Sequence, residues 1–172
     1  RIFNAATALG IDVKEITQHV DTVMFSLSKG LSAPVGSIIC GSKEFITKAK
    51  KNRKMLGGGM RQCGHLAAAG LIALEKLSKR LHEDHENAKT FSETISKTPN
   101  IQIDLKQVQS NIVFFGMDSN KINGQDFVSK LRERGVKILE TQPDFFRAVF
   151  HRGVLKEQAL AAAHAIQEIL EY

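Results

Sequence analysis

Several features of membrane, secreted and metal-binding proteins are missing from this sequence. No apolar run approaches the roughly 20 residues of a transmembrane helix, and no basic segment followed by an apolar one opens the chain as a secretory signal would. Its two cysteines, Cys40 and Cys63, give neither a disulfide framework nor the spacing of a metal site. We therefore expect a cytoplasmic protein with reduced thiols, no metal ligands and no membrane contact.

The signatures of other functional classes are also absent. No cluster of His, Cys and Asp predicts a metalloenzyme, and no nucleophile elbow or Ser-His-Asp order predicts a hydrolase. A net charge of +6 raises the question of a nucleic-acid partner, because six of the twelve residues from Lys43 to Lys54 are Lys or Arg. No aromatic residues interleave closely with these charges, so we favour a solvated helix face and expect no nucleic-acid partner.

The hydrophobic pattern predicts a pair of strands early in the chain. The nearly continuous apolar run at residues 22–28 is typical of a buried strand. The short connection to the apolar run at residues 35–40 predicts an antiparallel partner. Cys40 ends that second run, and we expect it to lie in the core.

Helices are predicted around this pair. Residues 1–9 have apolar residues on one face, and a basic helix at 43–55 is expected to begin at the N-cap Ser42. A long helical region follows at 60–97. Its first part, residues 66–74, is apolar on nearly all sides and should be buried.

From about residue 99 the pattern changes to a β-β-α-β-β-α order, which suggests a small α+β sandwich. The predicted strands are at residues 101–105, 111–117, 136–139 and 145–151, and the predicted helices are at 125–134 and 155–172. We place a domain boundary near residue 90.

Lys29 is the residue with the most chemical information. It follows the first apolar run in Ser28-Lys29-Gly30, ahead of a turn that contains proline and glycine. Burying an ammonium is costly, and desolvation makes the neutral, nucleophilic amine more accessible. The best-known use of such an amine is a Schiff base with an aldehyde cofactor. On spacing alone, a lysine that ends a strand and reaches solvent is the more common arrangement.

Two further groups of cations are candidates for anion binding. Lys54 and Arg61 flank the glycines at residues 57–59, and glycines ahead of a helix let backbone N–H groups approach an anion. A plain flexible loop is the alternative. Arg147 lies in a β-like apolar run, and its planar fork suits a carboxylate. A solvated arginine on an edge strand is the alternative there.

Three segments resemble the low-specificity threonine aldolases: residues 1–5 (RIFNA), 28–37 (SKGLSAPVGS) and 53–62 (RKMLGGGMRQ). Their order and spacing fit that family, and the similarity runs over most of the chain. The resemblance implies a pyridoxal-phosphate (PLP) enzyme with the α/β fold of aspartate aminotransferase, known as fold type I. Residues 1–90 would then be the C-terminal part of the large PLP-binding domain, and residues 91–172 a small α+β domain.

The resemblance also implies functions for single residues. Lys29 would hold PLP as a Schiff base, and Ser28 would hydrogen-bond the phosphate. Lys54 and Arg61 would approach a cofactor site that is shared between subunits.

Two arginines match residues of the family that bind the substrate. Arg147 stands where the family has its substrate-carboxylate arginine, and Arg1 matches an arginine near the same carboxylate. Phe150 replaces the threonine that relatives often have three residues after Arg147, and Ser32 stands where they often have glycine.

The activity implied by the resemblance is cleavage of L-threonine or L-allo-threonine to glycine and acetaldehyde, by breaking the Cα–Cβ bond. This reaction belongs to threonine catabolism and glycine biosynthesis. A β-eliminating PLP lyase or an aminotransferase is the alternative within the fold, and a non-catalytic basic binding module is the alternative from another class.

The expected partners are an amino-acid substrate and copies of the same protein, as a dimer or homotetramer. The chain opens without methionine in a helical pattern, and in the resembling family this arginine follows an Asp-Gly-Ala segment in mid-chain. We therefore expect the chain to be a C-terminal half whose further partner is the missing N-terminal half.

Overall fold

The computed structural model describes residues 1–118 and 122–171. The chain divides into two compact units, Arg1–Leu81 and His82–Tyr172. The domain boundary near residue 90 stays a prediction, because two compact units in the structure do not by themselves define two domains. Among the described residues, no helix is long and apolar enough to cross a bilayer.

The first unit alternates helices with a β-hairpin. Its elements are α1 (Ile2–Leu9), α2 (Val13–Thr17), β1 (Val23–Ser26), β2 (Ser37–Cys40), α3 (Lys43–Met55), α4 (Gly64–Glu75) and a 3₁₀ turn at Leu77–Arg80.

The second unit carries most of the strands. Its elements are α5 (Leu81–Ile95), which begins where the units divide, then β3 (Ile101–Gln102), a 3₁₀ turn at Leu105–Gln107, β4 (Ile112–Met117), α6 (Gly124–Glu133), β5 (Leu139–Gln142), β6 (Phe145–Val149) and α7 (Lys156–Glu171).

Local sequence explains where the first helices begin and end. Gly10 ends α1 in the left-handed conformation at φ +67°, which costs glycine little. Asp12 and Glu15 form a reciprocal capping box at the start of α2. The Ser42 side chain accepts a hydrogen bond from the Phe45 N–H at 3.2 Å and opens α3 as predicted.

The predicted antiparallel hairpin is present, but the burial expected of it is wrong. β1 pairs with β2 from Val23 opposite Cys40 to Ser26 opposite Ser37. Phe25 and Ile38 pack against the core of the unit. Cys40 is exposed, because this core covers the middle of the two-stranded ribbon and not its end.

The predicted burial of residues 66–74 is also wrong. In α4 only Gly70 and Ala73 are buried, while Leu71 is 57% exposed and Ile72 is 50% exposed. One face of the helix is covered, since Ala73 and Leu74 belong to the core cluster of the first unit. The long helical region predicted at residues 60–97 is interrupted by the 3₁₀ turn at Leu77–Arg80.

The second unit is a four-stranded antiparallel sheet in the order β3-β4-β6-β5. The β-β-α-β-β-α order is as predicted, although the third strand is Leu139–Gln142 and not residues 136–139. Helices α5, α6 and α7 cover one face, where Phe91, Phe127 and Ile166 meet Phe146 in the core cluster. Because side chains alternate along a strand, the neighbours of Phe146 on β6 lie on the opposite face.

Candidate functional site

A closed loop carries Lys29. The Leu27 N–H donates to the Gly36 carbonyl at 2.9 Å, and the Ala33 N–H donates to the Leu27 carbonyl at 2.9 Å. Inside this loop the Ser32 N–H donates to the Lys29 carbonyl at 2.8 Å. These three bonds fix the backbone on both sides of Lys29, so the position of its Cα is determined by the fold of the first unit.

Buried neighbours anchor the same loop. Leu27 and Leu31 are 6% and 3% exposed and belong to the core cluster, whereas Lys29 between them is exposed. Gly30 packs closely, since a Cβ atom there would lie 3.0 Å from Nδ2 of the buried Asn4. The expectation of a desolvated Lys29 is therefore not met in the described chain, where the amine reaches solvent from an anchored loop.

Arg1 and Lys29 both belong to the first unit. Arg1 precedes helix α1, and the loop of Lys29 packs on that helix through Gly30 and Asn4. Two cations in this part of the first unit favour an anion.

Ser28 has a hydroxyl neighbour that sequence reasoning missed. The Oγ atoms of Ser26 and Ser28 lie 3.2 Å apart, and the Ser28 N–H donates to Ser26 Oγ at 3.3 Å. Both serines precede Lys29. Their spacing of two along a strand end, which brings side chains to one face, is the signal that identifies the pair.

The glycines at residues 57–59 do not build the predicted anion site. The Gly57 N–H donates to the Lys54 carbonyl at 3.2 Å, and the Gly58 N–H donates to the Arg53 carbonyl at 2.8 Å. With Gly57 at φ +79°, this is the Schellman arrangement that ends α3. Those two amides are occupied by the preceding helix, and α4 begins only at Gly64.

Lys54 and Arg61 are both exposed on either side of this glycine segment. Lys54 lies in the last turn of α3, where a cation is favourable beside the helix carbonyls. Arg61 lies in the connection to α4. A function of either residue at a cofactor site stays a prediction.

Arg147 lies in the second unit, apart in sequence and unit from the five other predicted residues. It stands in the middle of β6, opposite Phe114 of β4 and Leu139 of β5. Its side chain is half-buried, and its Nε is buried with no hydrogen-bond partner among the described residues. An unsatisfied buried donor is costly, so the guanidinium is prepared for an external acceptor such as a carboxylate.

The described residues contain no group of three or more His, Cys, Asp or Glu side chains that could hold a metal ion.

Comparison with known proteins identifies the family to which the chain belongs. Residues 1–118 match the beta-eliminating lyase family. The chain is 40% identical over 155 residues to low-specificity L-threonine aldolase 1 of Arabidopsis thaliana, covering 90% of this chain and 43% of that protein. It is also 40% identical over 167 residues to the low specificity L-threonine aldolase of Escherichia coli K12, covering 95% and 47%. The chain thus spans about half the length of the curated relatives it matches.

Solved structures show the fold. A Listeria monocytogenes protein assigned as an L-allo-threonine aldolase superposes with a TM-score of 0.80 at 16% identity, over 98% of this chain and 50% of that one. An aspartate aminotransferase of Thermotoga maritima superposes with a TM-score of 0.64 at 15% identity, over 88% and 40%. The predicted aspartate-aminotransferase fold is confirmed.

Proposed function

The chain belongs to the beta-eliminating lyase family, and we propose that the protein containing it is a PLP-dependent aldolase that cleaves L-threonine or L-allo-threonine to glycine and acetaldehyde. The observation that carries this proposal is the Lys29 loop, which holds a solvent-accessible primary amine on a backbone fixed by three hydrogen bonds. An amine that reacts with an aldehyde must be both accessible and held in place.

The residues around Lys29 fit the cofactor. When bound, pyridoxal phosphate supplies the electron sink that lets a bond at Cα break. Lys29 would hold it through the amine, and afterwards that amine can hold or return a proton near Cα. The hydroxyls of Ser28 and Ser26, whose Oγ atoms are neighbours, would donate to phosphate oxygens, and the positive charge of Arg1 would favour the same anion. Lys54 and Arg61 are proposed for the site of a neighbouring subunit.

Arg147 is the proposed binding residue for the substrate carboxylate, with Arg1 as its companion. The unsatisfied Nε of Arg147 supports this function, because a carboxylate provides the acceptor that the sheet lacks. A carboxylate held by two nitrogens of the Arg147 fork would fix rotation about the bonds at Cα. Fixed rotation determines which of those bonds is held in the reactive orientation.

We propose a cytoplasmic homotetramer that functions in threonine catabolism and glycine biosynthesis. The N-terminal half of the same protein would complete the site. The shared cofactor site that the family resemblance implies is the reason to expect more than one subunit.

A second candidate is elimination at Cβ, which the name of the matching family favours. The products separate the two reactions. The protein in its full length, supplied with PLP, is expected to release glycine and acetaldehyde from L-threonine and L-allo-threonine. Ammonia with a 2-keto acid as the main products would support an eliminating lyase, and transfer of the amino group to a keto acid would support an aminotransferase.

A further inference from the structure

On the face of the four-stranded sheet opposite the helices, four apolar side chains lie around Arg147 and form what we call its apolar surround. Phe114 of β4 and Leu139 of β5 are the cross-strand partners of Arg147. Phe145 and Val149 lie two residues before and after it on β6 and therefore share its face. All four apolar side chains are exposed, at 48%, 52%, 39% and 37% respectively. Arg147 is the charged residue in the middle of this surround.

Two members of the surround form a stacked pair. The rings of Phe114 and Phe145 lie 6.0 Å apart between centroids, with 12° between their planes. Phe114 is directly opposite Arg147, so their Cβ atoms are about 5 Å apart. The Phe114 ring thus has Arg147 beside it on the neighbouring strand and Phe145 as its stacking partner.

This surround offers Arg147 no acceptor. Phenylalanine, leucine and valine side chains carry no hydrogen-bonding atoms, and Nε of Arg147 is buried without a hydrogen-bond partner among the described residues. Arg147 is half-buried and its Nε is buried, so few waters reach that atom. A charge with few competing waters binds an incoming anion more strongly.

We propose that Phe114 is a positioning residue for Arg147. Its ring, held by stacking on Phe145, keeps the guanidinium plane in one orientation and excludes water from the side where the substrate carboxylate binds. This inference rests on the proposed function, because it names the residue that prepares the carboxylate-binding arginine. Phe114 itself touches no reacting atom in this account.

The test uses the full-length protein with PLP and compares Phe114→Ala with Phe114→Leu. Phe114→Ala is expected to raise KM for L-threonine about tenfold while kcat changes less than about twofold, as for a loss of uniform binding. Phe114→Leu keeps the bulk beside Arg147 and is expected to restore most of the affinity. Leu105→Ala, which truncates an exposed apolar side chain outside the strands, is the matched control and should leave both constants unchanged.

A second readout does not depend on turnover. Calorimetric titration with glycine is expected to show about tenfold weaker binding to Phe114→Ala than to the unmodified protein. In an Arg147→Lys background the additional effect of Phe114→Ala should vanish, because a lysine has no planar fork to orient.

Unchanged KM and unchanged glycine affinity in Phe114→Ala would overturn the inference. An equal loss in the Arg147→Lys background would also overturn it, since Phe114 would then act independently of the guanidinium. A wild-type protein that cleaves no β-hydroxy amino acid contradicts the proposed function instead. In that case the glycine titration of wild type against Phe114→Ala still decides the function of Phe114.

Discussion

Gly30 lies against Asn4 so closely that a side chain at position 30 would require the Asn4 side chain to shift. A Cβ atom at position 30 would be 3.0 Å from Nδ2 of Asn4 and 3.5 Å from Cδ2 of Leu81, and both of these residues are buried. The contact ties the residue after Lys29 to helix α1. The fold of the first unit therefore determines where the reactive amine is presented.

Gly30→Ala is expected to lower the free energy of unfolding by about 1–2 kcal/mol through overpacking. It should also shift Lys29 and reduce cofactor binding. Chemical denaturation of both proteins measures the first effect. Gly64→Ala is the matched control, because a Cβ there meets nothing within 4 Å. Equal stability of Gly30→Ala and the control would show that Asn4 yields easily and would contradict this account.

Ser32 stores backbone strain in the same loop. Its φ of +59° lies in the left-handed region, which disfavours residues with a side chain. Ser32→Gly is expected to raise the free energy of unfolding by about 0.5–1 kcal/mol, after allowance for the greater freedom of glycine in the unfolded chain. Ser37→Gly, on strand β2 at negative φ, should destabilise instead. A loss of stability in both variants would show that the backbone of Ser32 is not strained.

Replacing Arg147 is expected to raise the stability of the protein and to weaken its substrate binding. Arg147→Met removes a buried donor that has no partner and keeps an unbranched side chain, so the free energy of unfolding is expected to rise by about 1 kcal/mol. The same change should raise KM for L-threonine at least about 100-fold. Thermal unfolding and steady-state kinetics measure the two effects, with the exposed Arg152→Met as control. A destabilised variant with normal KM would assign Arg147 a structural function.

The lowered pKa of His85 predicts how the free energy of unfolding depends on pH. Its pKa is lowered from the ordinary 6.5, mainly by desolvation and also by His82, against the opposing effect of Asp84. Below pH 6.5 the unfolded chain therefore binds a proton at His85 that the folded chain binds less readily, so stability falls as pH decreases through this range. His85→Gln is expected to flatten the decrease between about pH 6.5 and 5. An unchanged slope in urea titrations at several pH values would exclude this contribution.

Local signals in the sequence predicted the local structure well. The side chain of Ser42 and the left-handed Gly57 act on their own helix within a few residues, so the bounds of α3 followed from the sequence. The exposure of Cys40 and Leu71 did not follow, because apolar runs do not say which surfaces other parts of the chain cover.

In the candidate site, too, local signals were predictive and contacts between distant residues were not. Lys29 and Ser28 were found from a local motif, whereas the unsatisfied Nε of Arg147 depends on its pairing with Phe114 on a strand more than 30 residues away. The glycines at residues 57–59 end α3, but the sequence did not predict that the N–H groups of Gly57 and Gly58 would be occupied by that helix. A glycine segment alone does not show whether its N–H groups end one helix or bind an anion ahead of the next.

The most direct test of the account is to locate the cofactor bond. The full-length protein is incubated with PLP, treated with borohydride to make the bond between amine and cofactor permanent, digested, and examined by mass spectrometry. The account predicts a reduced pyridoxal-phosphate adduct on the peptide that contains Lys29, and its loss in Lys29→Ala. An adduct that stays in Lys29→Ala, or that maps to another lysine in the unmodified protein, would contradict the central claim.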